Sequence, residues 1–202
     1  MLARLIALAG LAALAACVAS TPQTVTRLGG DAVALQAPSG FCIDGVASRQ
    51  ANDFAVLAPC LTLGVAAPAP DALGIVTVQV GDEGSGAATG DEAALARFLS
   101  TEQGRALLSK SGTASDIRIL STQAFNDQVM VHFTDSGAAP IAGLQSEEWR
   151  AFRRVDNRLV TIGVRGLADA PLREGQGAGL LKLVLAGVSA AQTPPPVVAE
   201  GS

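Results

Sequence analysis

The sequence predicts an α+β fold, a mainly antiparallel sheet with helices packed on it. Three observations carry this. Segments 117–123 and 128–133, and then 149–155 and 159–164, alternate apolar and polar residues on either side of Asn126-Asp127 and Asp156-Asn157. Paired alternating runs around a two-residue Asn/Asp turn are the signature of β-hairpins. Residues 74–80, Gly-Ile-Val-Thr-Val-Gln-Val, are rich in β-branched side chains, which suit a pleated strand. Helical spacing is confined to 91–108 and the stretch after Gly179, apart from the hairpins.

Taken in order, the first strand is expected at 31–37, where Val33 and Leu35 alternate against Ala32 and Ala34. Pro38-Ser39-Gly40 is a turn, 41–44 a short strand, 48–53 a polar loop, and 54–58 a buried strand running into Pro59-Cys60. Residues 66–70 form a proline-containing connection to the 74–80 strand, and 81–90 a glycine-rich acidic loop. Asp91 opens a helix whose Leu95, Phe98 and Leu99 share a face. Ser100 to Gln103 reads as a capping box that restarts a second helix, stopped by Gly112. In the first hairpin Val129, Val131 and Phe133 take one face, Met130 and His132 the other. Val160, Ile162 and Val164 are the apolar face of the second, and 136–145 is the loop between hairpins. Pro171 precedes a helix that firms up after Gly179, with Leu180, Leu181, Val184, Leu185 and Val188 as its stripe. One domain is therefore placed at 31–190, between a flexible tether at 17–30 and a disordered proline-rich tail at 191–202.

This element order, with Pro38-Ser39-Gly40-Phe41-Cys42-Ile43-Asp44 early and a helix last, resembles the Mog1/PsbP-like α/β/α sandwich. The resemblance implies helical layers on both sheet faces and a mostly non-catalytic role, docking on protein partners or photosystem subunits. It assigns no binding residue.

The first residues read as an address. Arg4 is a positive n-region, 5–13 an apolar run too short to span a bilayer, and small residues follow. Leu14-Ala15-Ala16-Cys17 resembles a bacterial lipobox. The resemblance implies cleavage of the signal peptide 1–16 and acylation of Cys17, anchoring the chain in a membrane. The alternative is an ordinary secretory signal cut after Ala16 or Ser20. Val18 after the cysteine, rather than Asp, resembles the pattern that sends such proteins to the outer membrane, facing the periplasm. The remaining cysteines, Cys42 and Cys60, sit in neighbouring strands and form either a disulfide or two buried thiols.

With Arg4 removed, 13 bases face 18 acids, so nucleic acid is not an expected partner. Two cysteines and one histidine do not make tetrahedral metal spacing, and no cofactor motif occurs. The glycines at 81–90 lack the Gly-Lys-Ser/Thr ending of a phosphate loop. His132, the one histidine, has no Gly-x-Ser-x-Gly nucleophile elbow to serve. Glu147 and Glu148 are adjacent, so a strand turns them to opposite faces. No catalytic residue is assigned and an enzyme is not expected. Basic residues gather at Arg150, Arg153, Arg154, Arg158 and Arg165. Trp149, Arg150, Arg153, Arg154 and Arg158 are the candidate partner surface, since Trp and Arg are typical interface anchors. The expected function is a lipid-anchored, non-catalytic interaction module contacting an envelope protein. The alternative is a periplasmic hydrolase or small-ligand-binding protein using the region around His132.

Overall fold

A computed structural model describes residues 23–137 and 142–192. The signal peptide, Cys17 and the segment from 193 lie outside the described residues. The fold is α+β, as the sequence predicts. The strands are β1 (Val25–Leu28), β2 (Val33–Gln36), β3 (Phe41–Ile43), β4 (Phe54–Pro59), β5 (Gly74–Val80), β6 (Ile117–Phe125), β7 (Gln128–Asp135), β8 (Glu147–Val155), β9 (Arg158–Gly166) and β10 (Val188–Ala190). The helices are α1 (Glu92–Leu99), α2 (Glu102–Leu108) and α3 (Glu174–Ala186). Seven strands form one antiparallel sheet, in the order β3-β4-β5-β9-β8-β7-β6. A small second sheet has the order β1-β2-β10.

Alternation along the strands divides the core in two. Val76, Val78, Ile162, Val164 and Ala151 face one way and pack with Leu35, Leu180, Leu181 and Val184 beneath α3 and the small sheet. Val129, Val131 and Phe133 face the other way and pack with Leu99 and Leu108 beneath α1 and α2. The large sheet is thus covered on both faces, one layer resting on β6–β8 and the other on its centre.

Local chemistry explains most boundaries. Asn126, Asp127, Asp156 and Asn157 all have positive φ, between 47° and 61°. That is the two-residue hairpin geometry whose twist matches the strands, and Asn and Asp tolerate it best among residues with a Cβ. Asp91 caps α1 by accepting the Ala94 N–H at 2.7 Å. The second cap differs from expectation. Ser100 closes α1 with its own N–H, so Thr101 caps α2 instead, accepting the Gly104 N–H at 3.1 Å.

Three further expectations are corrected. Residues 23–30 are not all tether, because Val25–Leu28 pairs with β2 and buries Leu28. A polar-looking Val-Thr-Arg-Leu segment becomes a strand because its alternate residues Thr26 and Leu28 turn inward. Val188 does not continue the last helix. The chain turns at Gly187, which passes too close to the Gln36 carbonyl to carry a side chain, and Val188–Ala190 joins β2 as a third strand. Finally, α3 starts at Glu174, five residues before Gly179. Gly177 lies flat on the Trp149 ring, where a Cβ would collide. Tertiary packing there overrides the weak helix preference of glycine.

Candidate functional site

Strand β8 distributes the predicted partner residues instead of gathering them. Trp149 and Arg153 face α3, while Arg150 and Arg154 face α1 and α2, because successive side chains on a strand point to opposite sides. Trp149 is buried, 3% exposed. Arg153 Nη1 donates to the Leu185 carbonyl at 2.9 Å, at the C-terminal end of α3. Arg158 Nη1 donates to the Gly81 carbonyl at 3.1 Å. Arg150 is held by Glu148 and lies over the Phe133 ring at 5.1 Å. Only Arg154 of the five is well exposed, loosely paired with Asp127 at 3.7 Å. The proposed Trp/Arg surface is therefore not one surface; apart from Arg154, those side chains are engaged with the protein itself.

The adjacent acids Glu147 and Glu148 do turn opposite ways, and each builds something different. Glu148, buried on the α1/α2 face, is the centre of a charge cluster. One oxygen accepts from Arg150 at 2.7 Å, and the other from Arg165 Nε at 2.6 Å, with Lys110 Nζ at 3.6 Å. Asp135 stands 3.9 Å from Arg165 and accepts the backbone N–H groups of Lys110 and Gly137. Burial pushes the Glu148 carboxyl up, but Arg150, Arg165 and Lys110 together outweigh it and hold it below the usual carboxylate range. Lys110 is lowered, first by burial and then by Arg165 and Arg150, against the pull of Glu148. The cluster is an internal tie between sheet and helices; sequence analysis missed it because its members come from four separate segments. Gly163 leaves the room for it, since a Cβ there would meet the Glu148 carboxylate at 2.9 Å.

Glu147 faces the α3 side, where register places His132 opposite Trp149. His132 and Trp149 stack with ring centroids 4.4 Å apart and planes 12° from parallel. His132 Nε2 and Glu147 Oε2 are 3.1 Å apart. They line an open cleft of about 860 Å³ between the sheet, the 144–147 segment and the start of α3, with Leu120, Pro171, Arg173 and Glu174 on its walls. Gln145 braces the cleft by accepting the Leu172 N–H at 2.6 Å. A separate narrow cavity of about 60 Å³ lies between His132, Trp149 and α3, and among the described residues the buried Trp149 Nε1 has no hydrogen-bond partner. Chemically, the cleft offers one histidine–carboxylate pair and walls of mixed charge. Among the described residues no hydroxyl is hydrogen-bonded to His132. Of the two states the sequence allowed for the remaining cysteines, the structure has the disulfide: Cys42 in β3 and Cys60 after β4 are joined, Cα–Cα 4.9 Å, with both residues buried.

No protein-family model matches the chain, and no curated protein matches it. Solved structures do. A point mutant of the protein Mog1 is 11% identical, covering 86% of this chain and 98% of its own, with a TM-score of 0.48. The Ran-binding protein Mog1p of Saccharomyces cerevisiae is 10% identical over 83% of this chain and 95% of its own, at 0.47. PsbP of the cyanobacterium Synechocystis is 12% identical over 88% and 98%, at 0.44. The chain has a weak resemblance to these proteins in fold.

Proposed function

We propose that this protein is a lipid-anchored module of the bacterial cell envelope that acts by contacting a partner. The observation that carries the reading is the Cys42–Cys60 disulfide, since disulfides persist in oxidising compartments outside the cytosol. The Leu14-Ala15-Ala16-Cys17 stretch supports it independently, as acyl chains on Cys17 are a durable anchor. Val18 favours the outer membrane, facing the periplasm. Partner contact moves from the Arg hairpin to the mixed-charge cleft beside His132, which is open and wide enough for a peptide segment or small ligand. The hydrolase reading has a His132–Glu147 pair, but among the described residues no hydroxyl is hydrogen-bonded to His132, so contact is favoured over catalysis.

The test is photo-crosslinking from Ala168, on the cleft wall, in native membranes, with Cys17→Ser as the unanchored control. One envelope protein is expected as product, lost from the control and from Glu147→Lys. Repeated absence of any protein adduct from an acylated chain overturns the interaction reading.

A further inference from the structure

The first described residues lie against β3, with Asp44 on one side and an uncharged stretch on the other. Gln23 is fixed there: its carbonyl accepts the Ile43 N–H at 2.8 Å, and that of Thr24 accepts the Ala37 N–H at 2.7 Å. Gln23 therefore runs along the free edge of β3, two strand spacings or about 10 Å from β4. No residue in 54–70 or in 37–43 bears a formal charge. In the loop that follows Cys60, Leu61 is 54% exposed, and Thr62, Gly64, Ala66, Pro68 and Ala69 are exposed too. The loop is nonetheless held in place. The disulfide joins Cys60 to β3, the Cys60 N–H donates to the Gly40 carbonyl at 2.9 Å, and Gly40 packs so closely that a Cβ would meet the Pro68 carbonyl at 2.8 Å. Beside it opens a mainly apolar groove of about 730 Å³ between Phe41, Pro70 and α3, with Asp71 and Lys182 in its lining and Leu183 on its rim, 60% exposed.

We propose that this end, the uncharged 61–70 loop with the mouth of the Phe41–Leu183 groove, seats on the bilayer that holds acylated Cys17. The inference rests on the acylation proposed above. Because β1 belongs to the domain, only six residue steps separate Cys17 from Gln23, a reach of at most about 20 Å. The surface nearest Gln23 is thus held near the membrane, while β6 lies at the opposite edge of the sheet, six strand spacings or about 29 Å from β3. The 61–70 loop at this end is uncharged and pinned, the end is apolar at Leu61 and Leu183, and its charges are Asp71 and Lys182 on the groove wall. Apolar side chains gain at a lipid interface, and a lysine beside them meets anionic headgroups favourably.

The test reconstitutes the acylated protein, its Cys17 mass verified, into phosphatidylethanolamine/phosphatidylglycerol vesicles containing a diazirine phospholipid. After photolysis the labelled peptides are mapped. Labelling of 54–70 and 174–187 is expected to exceed that of 117–125 by about tenfold. Leu61→Asp with Leu183→Asp, both at exposed positions, should cut it severalfold while the protein stays on the vesicles. With the acyl mass present, uniform labelling, or labelling indifferent to the double variant, overturns the seating alone. A protein adduct at 61–70 in native membranes, in place of phospholipid, also overturns it. A Cys17 without acyl mass overturns the anchor and the seating together.

Discussion

Glu148 is the residue on which the α1/α2 face depends. It is a buried carboxylate touching Arg150 and Arg165, with Lys110 close by. Glu148→Gln removes the negative charge and leaves two guanidinium groups facing each other. Breaking a buried pair in this way costs about 3–5 kcal/mol, and urea denaturation should read a loss of that size. The pH dependence follows from the lowered carboxyl. A depressed folded pKa means that its stabilisation is complete above the unfolded value of about 4.3 and is lost as pH falls through the folded value. The wild type should therefore lose stability more steeply below pH 4 than Glu148→Gln, as thermal melts across that range would read. The opposite roles of Glu147 and Glu148 were legible from adjacency on a strand. Their partners were not, because pairing Glu147 with His132, and Glu148 with Arg165, requires the register of β7, β8 and β9.

At the scale of elements, the hairpins and most helices are locally encoded. The Asn/Asp turns, the Asp91 cap and the alternation of β7 are all readable within ten residues of sequence. What holds one element to another is less local. Arg153 on β8 donates to the end of α3, where a cation also meets the negative end of the helix dipole. Arg153→Ala should destabilise by about 1.5–3 kcal/mol, the range for a hydrogen bond to a charged group, while Arg153→Lys recovers part of it. Equal chemical-denaturation midpoints for wild type and Arg153→Ala would show that the contact contributes nothing. The sequence placed this arginine on a partner surface because Trp and Arg are typical interface anchors; α3 folding back over β8 gave it a partner within the chain instead.

For the whole molecule, the disulfide is the tie between the edge strand and the exposed 61–70 loop. Cys42→Ala with Cys60→Ala opens a loop of 18 residues, and the chain-entropy model gives a loss of about 3 kcal/mol. A lowered melting temperature is expected, with faster proteolysis within 61–70 than within 117–125. Unchanged proteolysis at 61–70 would mean that Gly40, Pro68 and Pro70 hold the loop unaided.

The sequence by itself determined the fold class, the hairpins, the Asp91 cap and which two cysteines were left to pair. Each of these is a matter of short-range chemistry: side-chain periodicity, positive φ at Asn and Asp, or a scarcity of alternatives. Only the tertiary structure decided that Val25–Leu28 and Val188–Ala190 are strands, that Trp149 is buried under Gly177, and that Arg150 and Arg153 of β8 are held by Glu148 and by the end of α3. Those outcomes depend on which distant segments share an interface. A short polar strand gains its hydrogen bonds, and a buried arginine its compensating acid, only when the rest of the chain supplies them.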